Sequence, residues 1–207
     1  MQTPSRNNYY SHNVTSIRMR FCYIKLMTKY VAMIRGIGPG NPNMTGGKFK
    51  SFFEELGFTN VQAVLASGNI IFESPSRNTN TLSERIEKSL PKLGFSRTVI
   101  VRSQLETQHL IDLDPFKGIE QNHNKNMYLL ITFFRQAPVI KFALPYTPEN
   151  KPYTLLGKID NAVYGSVDLS LNKTPDYMAW LEKQFGKDNT TSRTPKTIRL
   201  ILSRMNQ

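Results

Sequence analysis

The amino-acid sequence predicts an α+β protein: a ferredoxin-like βαββαβ antiparallel sheet domain, followed by a second, smaller α+β subdomain packed on it. In the first half of the chain, apolar residues follow strand and helix spacing in the order strand, helix, strand, strand, helix, strand. The first strand, Tyr30–Arg35, is apolar on both sides, which is typical of a central strand in a sheet covered on both faces. Helices cover one face in this arrangement, so the second subdomain is predicted to cover the other.

Each further element of the first subdomain has its own signal. In both predicted helices the apolar residues recur every three or four positions, whereas in the fourth strand they alternate with polar residues. The usual strand order of this arrangement, 4-1-3-2, places the first and third strands at the centre of the sheet. The predicted bounds are Lys48–Leu56 and Thr81–Leu93 for the helices, and Val61–Ala66, Ile70–Glu73 and Thr98–Arg102 for the strands.

The second subdomain is predicted to mix strands and helices and to end in two helices. Asp160-Asn161 is a hairpin turn signal between two strands, and four prolines between residues 138 and 152 predict an irregular segment before that hairpin. No internal repeat with a period of 20 to 50 residues is visible. The predicted strands are Met127–Phe134, Tyr153–Ile159 and Ala162–Val167, and the predicted helices are Leu105–Leu113, Asp176–Phe185 and Pro195–Met205.

The domain limits follow from this pattern as 28–103 and 104–207, with a boundary near Ser103 and an N-terminal extension over 1–27. The extension has no apolar period and no signal-peptide stretch, so we expect it to be disordered or to result from a start codon placed upstream of Met27. The chain has one cysteine, Cys22, which excludes an internal disulfide and a thiolate metal cluster. A cytoplasmic location is predicted, and no apolar run is long enough to span a membrane.

The net charge of +12 raises the question of nucleic-acid binding. Residues 1–29 carry five basic residues and no acidic one, and residues 186–207 carry five basic residues and one acidic one. The remaining chain is nearly balanced. Basic termini attract polyanions weakly and without selectivity, whereas a binding groove needs charge clustered on a folded face. The charge pattern therefore favours basic tails over a nucleic-acid groove.

The loop Gly36–Gly47 is the strongest candidate for a ligand-binding site in the sequence. Its five glycines connect a strand to a helix N-terminus, where backbone N–H groups could receive a phosphate or carboxylate. The spacing fits neither a GxGxxG fingerprint nor a P-loop, so a connection that merely needs positive φ angles is the stronger interpretation. If the loop is a site, its predicted ligand-binding residues are Arg35, Gly36, Gly38 and Gly40.

No catalytic or metal-binding constellation is visible. Ser67-Gly68-Asn69 is predicted to be a tight turn with Gly68 and Asn69 in left-handed conformations, because no GxSxG motif surrounds the serine. The three histidines stand at no recognised catalytic or metal-ligand spacing. The sequence therefore predicts no catalytic residue, no metal and no cofactor, and it favours a protein that is not an enzyme.

Several short matches together carry a family resemblance. Arg35-Gly36-Ile37, Met44, the stretch Phe52–Phe58 and the stretch Ser67–Ser74 resemble the opening module of the bacterial domain-of-unknown-function family numbered 1697. The resemblance extends to the C-terminal segment Thr191–Thr197, although Thr194, Pro195 and Lys196 depart from the family's usual Asn, Trp and Asn. It implies a fold and no established activity. Arg193 in that segment is a candidate ligand residue, and a brace between the two subdomains is the preferred alternative.

Three classes of function stay open from the sequence. A structural or interaction module is favoured, because no catalytic constellation is visible. The first alternative is binding of a small anionic ligand, such as a nucleotide or sugar phosphate, at the glycine-rich loop with Arg35 and Arg193. RNA binding is the second alternative, and the third strand lacks the basic and aromatic pattern of an RNA-binding sheet.

Overall fold

The computed structural model describes residues 26–38, 44–119, 127–170, 176–186 and 189–207. The mixed α+β class is confirmed: the described residues form two four-stranded antiparallel sheets and five α-helices. Nearly all of the expected N-terminal extension lies outside them. The strands are β1 Thr28–Ile34, β2 Thr59–Val64, β3 Asn69–Ser74, β4 Val99–Ser103, β5 Met127–Phe134, β6 Tyr153–Ile159, β7 Ala162–Asp168 and β8 Thr190–Arg193. The helices are α1 Gly46–Glu55, α2 Thr79–Ser89, α3 Gln104–Asp112, α4 Tyr177–Phe185 and α5 Pro195–Met205.

The first sheet has the predicted strand order. Its strands lie in the order β2-β3-β1-β4, so β1 and β3 are central. The side chains of Tyr30, Ala32 and Ile34 pack with α1 and α2 on one face, whereas Val31 and Met33 belong to a separate core on the other. The prediction that β1 is covered on both faces is thus confirmed, and the alternation of its side chains explains how one strand serves two cores.

The second sheet repeats the topology of the first. Its order is β6-β7-β5-β8, and β5 pairs antiparallel with both of its neighbours, as β1 does. Each sheet is followed by a helix, α3 after β4 and α5 after β8, and α2 and α4 occupy matching places in the chain order. We call Thr28–Asp112 the first half and Met127–Met205 the second half. The repeated unit is longer than 20 to 50 residues, the range of periods in which the sequence shows no internal repeat.

The correspondence between the halves extends to individual backbone hydrogen bonds. The N–H of Arg35 donates to the carbonyl of Thr98 at 2.9 Å, and the N–H of Arg135 donates to that of Asn189 at 3.2 Å. Each arginine comes directly after the central strand of its sheet, β1 or β5. Both halves also carry a register shift between the second and third strands. Helix α1 has no helical counterpart. The irregular segment 135–152 takes its place in the second half.

A shared core joins the two sheets. Helices α3 and α5 pack against each other between the sheets, and apolar residues of β1, β5 and α5 meet in one cluster there. The outer face of the second sheet is covered by α4 and the segment 135–152, where Phe142, Tyr146 and Trp180 lie close together. The predicted cover of the helix-free face is therefore present, and it consists of two helices with the second sheet behind them.

Two elements differ from the sequence prediction. Strand β8 is absent from the prediction because its four residues are polar and show no apolar alternation. Thr194, the next residue, is the N-cap of α5, and Pro195 is the first residue of that helix. The second predicted helix is shorter than expected, since its last turn, Leu90–Leu93, is a 3-10 turn that begins next to Pro91. Among the described residues, no helix is both long and apolar enough to cross a bilayer.

Candidate functional site

A large open cleft lies where the two halves meet. Its volume is about 940 Å³, and it opens at the ends of the central strands β1 and β5. Segments that precede β4 and β8 contribute the remaining walls. The lining residues are Arg35, Gly36, Glu87, Ser96, Arg97, Thr98, Arg135, Gly186 and Asn189.

Two arginine–glutamate pairs cross between the halves at this cleft. Arg35 of the first half donates to Glu182 on α4, and Arg135 of the second half donates to Glu87 on α2. The four side chains keep between 21% and 28% of their exposure, so both ion pairs are partly shielded from water. Glu87 also accepts the backbone N–H of Val99 at 2.6 Å, which fixes its carboxylate. The pairs are exchanged symmetrically: each half supplies one arginine and one glutamate.

Arg97 adds a third guanidinium group to the cleft. Its Nη1 donates to the carbonyl of Ser96 at 2.8 Å, and it forms no ion pair with an acidic residue of the described chain. Arg97 also lies against Gly36, whose φ of +66° is a left-handed conformation that glycine adopts without strain. Because Glu87 and Glu182 face three arginines, the described side chains leave a surplus of positive charge here.

The structure brings two of the predicted ligand-binding residues together. Arg35 and Gly36 line the cleft. Gly38 is exposed and makes no part of the lining, and Gly40 lies outside the described residues. A ligand role for these four residues therefore stays a prediction, with Arg35 and Gly36 now placed beside Arg97 and Arg135.

Arg193, the fifth predicted residue, lies behind the cleft and ties the halves together. Its Nε donates to Oδ1 of Asn69 at 2.5 Å, and its Nη2 donates to the carbonyls of Ile34 and Ser67, each at 3.1 Å. Its Nη1 donates within its own strand to Thr191 and Ser192. Burial lowers the pKa of the guanidinium to about 10. These contacts use all three nitrogens for protein acceptors, which is the arrangement of a brace.

Arg102 is the counterpart of Arg193 in the other half. The two arginines occupy matching register positions on β4 and β8, opposite Val31 and Ile131. Arg193 donates to the carbonyl of Ile34, the last residue of β1, and Arg102 donates to that of Phe134, the last residue of β5. Burial lowers the pKa of Arg102, while the carboxylates of Glu106 and Asp160 raise it. Two arginines thus brace the halves reciprocally.

The segment Ser67–Asn69 is a turn, but one of the two predicted left-handed residues is wrong. Gly68 has a φ of +67°, as expected, whereas the other left-handed residue of this turn is Leu65, with a φ of +59°. Asn69 is the first residue of β3 and is fully buried. Its amide nitrogen donates to the carbonyl of Val64 and to Oγ of Ser67, and its oxygen accepts from Arg193. Asn69 therefore links this turn to Arg193, because its side-chain oxygen is the acceptor for Nε of the arginine.

No cluster of histidine, cysteine, aspartate and glutamate in the described part of the chain could hold a metal ion. His109 lies 3.8 Å from Asp160, and both side chains are more than half exposed. An exposed pair of this kind provides neither a shielded base nor a nucleophile.

Sequence reasoning missed Arg97, Arg102, Arg135 and the two glutamates of the cleft. None of them belongs to a local motif, because their meeting depends on how the two halves face each other. One signal was available: each central strand is a strongly apolar run that ends directly in an arginine, Arg35 in one and Arg135 in the other. Its meaning depends on the duplicated topology.

Fold and cleft together define a two-sheet α+β protein with duplicated topology and an arginine-lined groove between its halves. The chain belongs to the family described as protein of unknown function (DUF1697), whose profile matches residues 27–154. The conserved bacterial protein SP0830 from Streptococcus pneumoniae has a similar structure, with a TM-score of 0.61 at 18% identity; the match covers 88% of this chain and 100% of that chain. At this identity the likeness concerns the fold alone. No curated protein matches the chain.

Proposed function

We propose that the protein binds a small anionic ligand, one that carries a phosphate or carboxylate group, in the cleft between its halves. The observation that supports this proposal is the convergence of Arg35, Arg97 and Arg135 on one cleft. Guanidinium groups form paired hydrogen bonds with phosphate and carboxylate oxygens, and such charge-assisted bonds are stronger than neutral ones. A cytoplasmic location is part of the same proposal, since the pool of phosphorylated metabolites is found there.

The proposal makes particular use of Arg97. The guanidinium groups of Arg35 and Arg135 already contact Glu182 and Glu87, so a ligand would share them with these carboxylates. Arg97 contacts the carbonyl of its own neighbour and extends along Gly36. A phosphate held by Arg97 would lie against the backbone of Gly36, where a side chain would crowd the approach. The proposed site is therefore the cleft at the start of the glycine loop rather than the loop itself.

The other two classes of function have less support from the fold. RNA-binding sheets of this strand order stack bases on an exposed face, and here that face packs against α3 and α5. An interaction module, the favoured interpretation of the sequence, needs a surface that a partner would recognise, and the cleft offers a concave groove lined by charged side chains instead. The interaction module is the class that gains support if the cleft binds nothing.

The test compares thermal midpoints and calorimetric binding for inorganic phosphate, AMP, glucose 6-phosphate and citrate. Ionic strength is held constant, because charged probes also screen surface charges. We expect at least one probe to raise the midpoint of the natural protein. Arg97→Gln should weaken that probe by about tenfold or more, since a hydrogen bond to a charged group contributes ~1.5–3 kcal/mol. Arg35→Ala should weaken it similarly.

The matched control is Arg77→Gln, which removes an exposed arginine near the start of α2, at the opposite end of the sheet from Arg35. It should leave binding unchanged. A natural protein that none of the probes stabilises, or equal weakening by Arg77→Gln and Arg97→Gln, would contradict the proposal.

A further inference from the structure

A smaller cavity lies beside Arg102, apart from the cleft. Its volume is about 180 Å³, the space of roughly six water molecules. Apolar walls come from Leu110 on α3, Phe133 on β5 and Ala162 on β7. The polar groups belong to Arg102, Glu106, Asp160 and Asn161. Asp160 keeps 71% of its side-chain exposure, so the cavity opens to solvent on that side. We propose that this cavity is a binding site for a small molecule with a primary carboxamide group.

In the first half, the side-chain carboxamide of Asn69 fills the place that corresponds to this cavity. There, the side-chain amide of Asn69 accepts from Nε of Arg193 through its oxygen, at 2.5 Å. Its nitrogen donates to the carbonyl of Val64 at 3.1 Å and to Oγ of Ser67 at 2.9 Å. One buried amide thereby satisfies one donor and two acceptors, and it is part of the protein itself.

In the second half the arginine is present and Asn161 lines the cavity beside it, but no amide of the described residues accepts from Nε of the arginine. Asn69 stands opposite Met33 in the register of the first sheet, and Ala162 stands opposite Phe133 at the corresponding position of the second. Arg102 donates through Nη1 and Nη2 to Val101 and Phe134, and no residue of the described chain accepts a hydrogen bond from its Nε. Because Ala162 lines the cavity, we expect an asparagine at this position to extend into it.

The acceptors that the amide nitrogen needs are also in place. Ile159 pairs with Ala162 as Val64 pairs with Asn69, so its carbonyl corresponds to that of Val64. Asp160 precedes Ala162 by two residues, as Ser67 precedes Asn69, although the second hairpin turn is shorter by two residues. A carboxamide oxygen would accept from Nε of Arg102, and its NH₂ group would donate to the Asp160 carboxylate or the Ile159 carbonyl.

The charges around the cavity select against a carboxylate. Glu106 and Asp160 line it together with a single arginine, and Oε2 of Glu106 already accepts two bonds from Ser103. A second anion beside Asp160 would be repelled, whereas the neutral amide places a donor there. The site is therefore distinct in ligand class from the arginine-rich cleft, and it stands or falls independently of that proposal.

The experiment follows the side-chain Nε–H resonance of Arg102 by NMR while propionamide or nicotinamide is added, with propionate as the isosteric carboxylate. We expect saturable shifts at millimolar amide, because so few atoms limit the affinity. Propionate should bind at least about tenfold more weakly, and Asp160→Asn should narrow that ratio by removing the repulsion.

Ala162→Asn fills the cavity with the amide of the chain itself and should abolish the shift, while Ala143→Asn, at an exposed position, should leave it unchanged. Ala162→Leu closes the same space without an amide and serves as a second variant if the asparagine disturbs folding. The proposal is overturned if no amide shifts the resonance up to about 50 mM, if the shift persists in both filled variants, or if propionate binds as tightly as propionamide.

Discussion

Asn69 and Ala162 occupy corresponding register positions in front of corresponding arginines, and the two halves differ in the side chain that stands there. The buried amide of Asn69 gives Arg193 an acceptor, whereas Ala162 lines a cavity next to Arg102. Removing the acceptor from a satisfied buried donor costs more than the bond contributed, because the donor is then buried without a partner.

We therefore expect opposite effects from the two exchanges. Asn69→Ala should lower the free energy of unfolding by about 2–4 kcal/mol, because it strands Arg193 and leaves a hole in the core. Ala162→Asn should not destabilise the protein and should raise its thermal midpoint, because the new amide meets a waiting donor. Denaturant titration of both variants measures the difference; a loss of stability in each would contradict the matched positions.

Arg193 should be irreplaceable by lysine. The guanidinium reaches five acceptors in a planar fork, whereas an ammonium group on a flexible stem reaches fewer of them. Arg193→Lys should cost at least about 2 kcal/mol of stability in denaturant unfolding. Arg199→Lys, at an exposed position of α5, is the control and should cost little. Equal stability of the two variants would refute the brace.

The roles of individual residues could be predicted from the sequence less well than the helices and strands or the topology of the first sheet. Arg35, Gly36 and Arg193 could be chosen because they lie in or near motifs of the resembling family. Arg97, Arg102 and Arg135 could not, since each acquires its role from a residue on the other half or from the cavity that the other half leaves. Charge and spacing along a chain carry no information about such partners until the fold is known.

The β2–β3 hairpin is tightly constrained at Gly68. Gly68 has a φ of +67°, and a Cβ atom at this position would come within 2.8 Å of Ile37. The carbonyl of Gly68 accepts the N–H of Ile34 at 2.8 Å, at the end of β1. The hairpin, the central strand and the start of the cleft are therefore fixed together.

Gly68→Ala should destabilise the protein by more than about 1 kcal/mol, since the methyl group meets both strain and a clash. The cleft should be disturbed as well, because Arg35 directly follows Ile34. Gly94→Ala is a useful comparison: its φ is also positive, at +83°, and nothing lies near its missing Cβ. A smaller loss for Gly68→Ala than for Gly94→Ala in thermal unfolding would argue against the clash.

Asp176, the residue before α4, forms an ion pair with Lys151 that responds to pH. Hydrogen bonds from Lys151 and Tyr153 hold the pKa of Asp176, the residue before α4, below its usual value. A lowered carboxyl pKa contributes stability above the usual value of about 3.9, and that contribution is lost as the pH falls through the folded pKa.

Lys151→Met should therefore raise the pKa of Asp176, measured by NMR titration of its carboxyl carbon. Its effect on stability should be present at neutral pH and vanish in strong acid, where both proteins carry a protonated Asp176. Lys183→Met, in the last turn of α4, should leave the titration of Asp176 in place. A folded pKa that does not change in Lys151→Met would contradict the assignment.

Most helices and strands could be predicted because their signal is local. The bounds of Met127–Phe134, Tyr153–Ile159 and Pro195–Met205 are those expected from the apolar pattern. Strand β8 escaped because Thr190–Arg193 has no apolar alternation of its own: its place in the sheet is determined by pairing with β5, and its Thr191 is buried by that pairing. A strand defined by its neighbour cannot be predicted from its own four residues.

The two halves of the molecule are held together by an apolar core to which both contribute. Residues of β1, β3 and β4 on one side and of β5 on the other meet α3 and α5 in a single apolar cluster. Separation of the halves would expose this cluster to water at ~25 cal/mol per Å² of apolar surface. The duplicated topology thus does not make two independent units.

We expect a fragment of residues 26–119 to lack cooperative unfolding, because the face of its sheet that carries Val31 and Met33 would be bare. Circular dichroism with heating and binding of a hydrophobic dye measure this loss. Addition of residues 120–207 should restore a cooperative transition, which controls for damage to the fragment. A fragment that unfolds cooperatively by itself would show that the shared core is dispensable.

The topology of the first sheet and the cover on its open face could be predicted at this scale, from a strand that is apolar on both sides. The duplication could not, because the one signal that both halves share, an apolar strand that ends in an arginine, is short and its two copies lie a hundred positions apart. Equivalence here resides in hydrogen-bond geometry, which different side chains can maintain.

The cavity beside Arg102 has a consequence for how this chain tolerates change. The same arrangement of arginine and facing position occurs twice in this protein, and we expect the two copies to differ in the substitutions that they tolerate. The copy with Asn69 is complete in itself and should reject nearly every substitution at that position. The copy with Ala162 lacks its own amide, so it is open to variation, and a scan of all substitutions at both positions would measure this asymmetry directly.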